Sequence, residues 1–231
     1  MVYKHIKEAK FIARPNRFVA LVQQQNQQIT AHVKNTGRCA ELLVPGCTVY
    51  LEYSENQNRK TPCDLVAVQK KNLLINMDSA APNAAVGEWL STGGLGTLTE
   101  LKAEYKLGDS RFDFYARRGE EKLLIEVKGC TLEENGLARF PDAPTQRGLK
   151  HVKELTRLVQ QGWSCMVLVI VQMKGVHCFQ PNWATQPEFG LALRQAREAG
   201  VEIWAMDCIV TPSSMVLDQP VQVDLSLPSA L

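Results

Sequence analysis

Charge of one sign is what this sequence most plainly lacks: 26 Lys and Arg stand against 24 Asp and Glu, a formal net charge of +2. Such near balance excludes capture of a partner by a global field, so any nucleic-acid binding has to come from a local basic surface. Paired cysteines are lacking too. Cys39, Cys47, Cys63, Cys130, Cys165, Cys178 and Cys208 are odd in number and none is spaced C-x-x-C, so neither a disulfide framework nor a zinc finger is indicated. Scattered thiols suit a reducing cytoplasm, which is the expected location. Long apolar runs are missing as well. The most apolar stretch, Met166 to Val171, is far below the ~20 residues that span a bilayer. Charges at Lys4, Lys7 and Glu8 interrupt any signal-peptide core. No membrane partner is expected, and there is no internal repeat or low-complexity tail.

What is present is an ordinary globular composition, 45% hydrophobic and 22% charged over 231 residues, enough for one large domain or two modest ones at about 150 residues each. The first third carries short β-like runs at residues 18–23, 28–33, 47–53, 64–69 and 73–77. Five short strands separated by turn signals suggest a small barrel, with a five-stranded OB-like barrel as the natural candidate. Ser79 to Asn83 breaks the strand pattern, and the expected domains are residues 1–82 and 83–231. A short helix over 84–90 ends in the glycines 93, 94 and 96. Strand patterns over 101–107, 111–116 and 122–128 precede a helix over 145–161, whose apolar stripe is Leu149, Val152, Leu155 and Val159. A continuous apolar strand over 165–173, a helix over 186–199 and a strand over 201–206 follow. Alternating strands and helices point to an α/β domain with a mixed sheet.

Strand parity then places three charged residues. Leu124, Glu126 and Lys128 share one face of their strand, opposite Leu123, Ile125 and Val127. In the preceding strand Asp113 and Tyr115 share a face opposite Phe112 and Phe114. A two-residue turn at Gly119-Glu120 fits a II′ hairpin and pairs residues whose numbers sum to 239, which sets Asp113 against Glu126, with Cβ atoms about 5 Å apart. Two carboxylates that close repel unless a cation lies between them, and Mg²⁺ is the usual answer. Lys128 on the same face would polarise the attacking water or stabilise charge on a phosphate. On these residues alone, a solvated ion-pair face and a phosphodiester-hydrolysing metal site both remain open.

Other features carry alternatives of the same kind. Residues 147, 150, 151 and 154 share a polar side of the long helix, either a phosphate grip or an ordinary solvent face. In the first domain Arg14, Arg17, Lys34, Arg38, Arg59 and Lys60 are interleaved with Phe18, His32, Tyr50 and Tyr53. An OB barrel stacks bases on such rings, although any single ring is by default core.

The residues Ser110-Arg111-Phe112-Asp113-Phe114, Ile125-Glu126-Val127-Lys128 and Thr131-Leu132 occur in one order with Phe140-Pro141-Asp142-Ala143, Thr145-Gln146-Arg147-Gly148 and Lys150-His151. Arg17-Phe18 and Asn35-Thr36-Gly37-Arg38 precede them. Over most of the chain this set resembles the sugar fermentation stimulation protein A (SfsA) family. The resemblance implies an N-terminal OB-like domain joined to a PD-(D/E)XK nuclease-like domain, DNA binding and nuclease activity. By position it makes Asp113 the motif's acid, Glu126 its second acid and Lys128 its lysine, with Glu104 supporting the metal. Arg111, Arg147, Lys150, His151, Arg17, Asn35, Thr36 and Arg38 become the expected contacts to nucleic acid. The sequence departs from the family pattern at Lys34, where Pro is usual, at Gly129-Cys130, where Ser-Val is frequent, and at Gln146, where Glu is frequent.

The expected function is therefore hydrolysis of nucleic acid, DNA ahead of RNA, with Mg²⁺ or Mn²⁺ as cofactor. The alternatives are a non-catalytic, sequence-nonspecific DNA-binding protein with a regulatory link to sugar metabolism, and a hydrolase of small phosphoesters. The oligomeric state stays open, a homodimer included.

Overall fold

The chain begins with six strands, β1 (Ile6–Asn16), β2 (Val19–Gln24), β3 (Gln27–Val33), β4 (Thr48–Tyr53), β5 (Cys63–Lys70) and β6 (Leu73–Asn76), the first five of which close into a barrel. They belong to a computed structural model that describes residues 1–35, 37–56 and 58–228. β1 pairs with β2 and β4, β2 with β3, and β4 with β5, all antiparallel. The parallel pairing of β3 with β5 closes the ring. β6 hangs on β5 outside it. The five-stranded barrel is thus present, with a different membership from that read in the sequence: β1 takes part in the ring and the run over 73–77 does not. β1 escapes sequence reading because Lys7, Glu8 and Lys10 interrupt its apolar pattern and its pairing with β2 is bulged on both sides of Ala13. Alternation is clean in β2, where Ala20 and Val22 point into the barrel with Phe11, Ala31, Val33, Leu51 and Leu65.

The rest of the described chain builds one nine-stranded mixed sheet around three helices, α1 (Ala81–Ser91), α2 (Gln146–Val159) and α3 (Pro187–Glu198). Its strands are β7 (Glu100–Leu107), β8 (Ser110–Arg118), β9 (Glu121–Cys130), β10 (Leu132–Glu134), β11 (Leu137–Phe140), β12 (Ser164–Val171), β13 (Cys178–Pro181), β14 (Glu202–Thr211) and β15 (Ser214–Val223). Their order across the sheet is β10-β11-β13-β15-β14-β12-β9-β8-β7. β12 lies in the interior of the sheet, parallel to both β9 and β14, and its buried run Cys165–Val171 has no polar side to show. The short strands β10, β11 and β13 and the long β15 carry no sequence pattern of their own; β15 holds Asp218, Gln219 and Pro220 in its middle.

Two apolar clusters sandwich the sheet. One gathers Phe114, Leu123, Ile125, Leu168 and Met206 with Ala85, Val86 and Leu90 of α1. The other joins Phe112, Leu124, Val167 and Val169 to α2 and α3, and it is continuous with the barrel interior through Leu42, Leu43 and Met77. Polar bonds reinforce that junction. Buried Gln172 donates to the backbone carbonyls of Asn76 and Asp78 at 3.1 and 3.2 Å. Lys70 pairs with Glu133 at 2.7 Å. Among the described residues no helix is long and apolar enough to cross a membrane.

Candidate active site

Gly119, at φ +60°, opens a two-residue turn that pairs Arg118 with Glu121, Tyr115 with Leu124 and Phe114 with Ile125. That is the register read from the sequence. The ladder stops one pair short of Asp113 and Glu126. Asp113 Oδ2 instead accepts the backbone N–H of Val127 at 2.7 Å, so the carboxylate takes the place of a strand partner. Alternation breaks at the same point. Phe112 and Tyr115 lie in one cluster and Phe114 in the other, which corrects the assignment of Phe112 to the face of Phe114 and of Tyr115 to the face opposite Phe112. Glu104, between the paired residues Ala103 and Tyr105 of β7, has φ +55°, a conformation uncommon for a non-glycine residue.

Asp113 and Glu126 form the heart of the candidate site. Asn83 of α1 donates to Asp113 Oδ1 at 2.7 Å. Burial, then the charge of Glu126, raises the Asp113 carboxyl above its ordinary value despite these two donors. Glu126 is 3% exposed. Burial pushes its carboxyl up too, but the hydrogen bond from His151 and the ammonium of Lys128 outweigh that and hold it below the usual range. Both groups engage Oε1. Oε2 is buried and has no hydrogen-bond partner among the described residues. A buried carboxylate oxygen without a partner is costly, and this one sits where a second negative charge acts on Asp113.

The remaining expected residues divide. His151 does not belong to the solvent side of α2: it is 8% exposed, with Nδ1 on Glu126 Oε1. Arg147 and Lys150 do lie on the exposed side, with no side-chain partner among the described residues. α2 begins there because Thr145 caps it, accepting from Gly148 N–H at 3.0 Å. Glu104 is not gathered with the two acids; its exposed carboxylate pairs with Arg111 Nε at 2.9 Å. Arg111 is thereby occupied as well.

From the barrel, Arg17, Asn35 and Gly37 line a cleft of about 540 Å³, faced by Gly129, Thr131, Arg139, Asp142, Gln146 and Arg147. Arg38 is exposed nearby in sequence. Thr36 lies outside the described residues. Asn35 folds its own turn, accepting Gly37 N–H at 2.8 Å. A Cβ at Gly37 would stand 2.8 Å from Asp142 Oδ2, so a larger residue there would displace the Asp142 carboxylate that accepts from Cys39 N–H.

Sequence reasoning missed two organising residues. Arg14, grouped with the other basic residues, spends its guanidinium on the carbonyls of Arg17, Asn35, Gly37 and Arg38 at 2.7–2.9 Å. Asn83 looked like part of a linker, and nothing local marks it. Lys34 and Arg59, both half-buried, are likewise engaged, paired with Asp78 and Asp64. Phe18, by contrast, is exposed and not core.

Residues 12–77 match the family described as the SfsA N-terminal OB domain. Residues 80–214 match the sugar fermentation stimulation protein RE domain. A sugar fermentation stimulation protein homolog of Desulfitobacterium hafniense is 50% identical over 215 residues, 93% of this chain and 94% of its own. One from Ruminiclostridium cellulolyticum is 49% identical over 226 residues, 97% of this chain and all of its own. The structure of Pyrococcus furiosus SfsA in complex with Ca²⁺ superposes with a TM-score of 0.88 at 27% identity, covering 97% of this chain and 98% of that one. With both units matched in tandem and relatives alike from end to end, this chain belongs to the sugar fermentation stimulation protein (SfsA) family.

Proposed function

We propose that the protein hydrolyses phosphodiester bonds of nucleic acid with a divalent cation, Mg²⁺ or Mn²⁺. One observation carries this reading: the buried, unpartnered Oε2 of Glu126, beside an Asp113 carboxyl that burial and the Glu126 charge make reluctant to ionise. Two such groups suit a hard cation, which takes one or two carboxylates and completes its shell with water and phosphate oxygens. Asp113 and Glu126 would hold it; Glu104, committed to Arg111, would not. That an archaeal relative is described in complex with Ca²⁺ supports an oxygen-ligand site of this class. When bound, the cation supplies Lewis acidity to the phosphate and the attacking water.

The chain's own groups do the rest. Val127 N–H and Asn83 fix the Asp113 carboxylate. His151 and Lys128 fix Oε1 of Glu126, leaving Oε2 for the cation. The Lys128 ammonium stands ready to offset charge building on the phosphate. Arg17 and Arg147, on opposite walls of the cleft, and Lys150 bind flanking phosphates.

A second reading, binding without turnover, draws on the absence of any group of three or more His, Cys, Asp or Glu side chains suited to a metal among the described residues. One experiment separates the two. Single- and double-stranded DNA and RNA are incubated with Mg²⁺, Mn²⁺ or EDTA, using wild type and Asp113→Ala. Cleavage that needs the metal and is lost in Asp113→Ala is expected. Cleavage in EDTA, or an active Asp113→Ala, overturns hydrolysis at this site. Binding with no cleavage of any substrate favours the second reading.

A further inference from the structure

Of the barrel's rings Phe11, Phe18, Tyr50 and Tyr53, only Phe18 is exposed, at 44%. Tyr53 is half-buried, its hydroxyl donating to Gln24 at 2.8 Å, and Phe11 is core. The backbone that presents Phe18 is held from three directions. Phe18 N–H donates to Asn16 Oδ1 at 2.9 Å. Its carbonyl accepts from Val33 N–H at 2.8 Å. The carbonyl of Arg17 accepts from Arg14 at 2.7 Å. A pinned turn that holds a large ring in water gives up the apolar burial that a floppy one could recover. Arg17 lines the cleft, and its guanidinium lies over the Phe18 ring, 4.7 Å from the centroid. No acceptor engages that guanidinium among the described residues. The cation covers one face of the half-exposed ring, and the two form one platform beside the cleft that Arg17 lines, with a π surface for a base and a charge for its phosphate.

We propose that Phe18 and Arg17 form a stacking subsite for an unpaired nucleobase, so that the strand entering the cleft is single-stranded or carries a single-stranded end. The proposal rests on the nucleic-acid reading of the site. A base inside a duplex is already stacked on its neighbours and offers only its edge. Stacking on Phe18 therefore selects unpaired nucleotides, while Arg147 across the cleft serves any strand through its phosphates.

The test is fluorescence anisotropy in Mg²⁺ with a labelled 12-nucleotide DNA strand, the matching RNA strand and the DNA duplex. All proteins carry Lys128→Ala to keep the strands intact. Phe18→Ala is expected to weaken binding of the single strands about tenfold or more and to change duplex binding less than about twofold. Phe18→Trp is expected to retain single-strand binding, and melting temperatures should stay level because the ring is exposed. Equal losses on single strand and duplex, or no loss on either, overturn the subsite. So does a parent protein that prefers the duplex. If the parent binds none of the three, the nucleic-acid reading itself falls and this inference with it. Binding that ignores residue 18 removes the inference alone.

Discussion

At the scale of single residues, Glu126 shows how neighbours decide what one carboxylate can do. With one oxygen taken by Lys128 and His151 and the other left bare, the side chain has one orientation and one free oxygen, the atom proposed to meet the cation. His151 is a positioning residue in this arrangement. An ionised carboxylate only accepts, so Nδ1 carries the proton that bonds it. An asparagine places an N–H donor near the position of Nδ1; a leucine fills the space without a donor. His151→Leu should therefore weaken the apparent affinity for Mn²⁺ by about 10–100-fold, the usual effect of losing a partner that orients a ligand. His151→Asn should remain within a few-fold of wild type. Calorimetric Mn²⁺ titration of the intact proteins measures this without any appeal to activity. Equal loss in both variants would mean that His151 only fills space.

At the scale of elements, Asp64 of β5 does for the barrel wall what Glu126 does for the site. Arg59 reaches it at 2.5 and 3.1 Å and His32 at 3.0 Å, with Lys34 at 3.5 Å. Burial would raise its carboxyl, but these partners hold it below the ordinary value. The folded pKa is the lower one, so the stabilisation is complete above the unfolded value of about 3.9. It is lost as pH falls through the folded value. Asp64→Asn should lower the melting temperature at pH 7 by a few degrees, on the order of 2–4 °C for each kcal/mol removed. The gap to wild type should narrow steadily below about pH 4. A gap that is constant with pH would show that the charge is not what matters there.

The elements also show what a linear pattern can carry. The β8–β9 hairpin was legible because Gly119 and the period of two are local and sufficient to set its register. The helix α2 was legible from its apolar stripe, and β12 from a run that is apolar on both faces. The break at Asp113 was not, because it rests on hydrogen bonds from Val127 N–H and from Asn83 of a distant helix. Nor was β1, whose barrel-facing residues Ala9 and Phe11 are embedded among charges. In the candidate site, the pairing of Glu126 with Lys128 was readable from strand parity. His151 was assigned to the wrong side of its helix, because helical spacing alone does not tell that a side chain at the stripe's margin turns toward an acid on the sheet.

At the scale of the whole molecule, the barrel and the sheet share one core and one cleft, and neither unit makes the cleft alone. The apolar cluster passes from Val22 and Leu51 in the barrel to Leu155 and Ala192 under the helices without interruption. The two units should accordingly unfold together. Gln172 is the polar pin of that junction, 1% exposed and bonded to the carbonyls of Asn76 and Asp78 and to Asn76 Oδ1. A leucine there keeps the volume but strands these buried acceptors, at about 1–3 kcal/mol. Calorimetry of wild type should give one transition whose calorimetric and van't Hoff enthalpies agree. Gln172→Leu should lower it by several degrees without splitting it. Two resolved transitions in wild type would instead mean that the barrel is an independent module resting on the sheet. The cleft between Arg17 and Arg147 would then be a joint that opens and closes, and the proposed binding of nucleic acid would track docking of the units more than the chemistry of either wall.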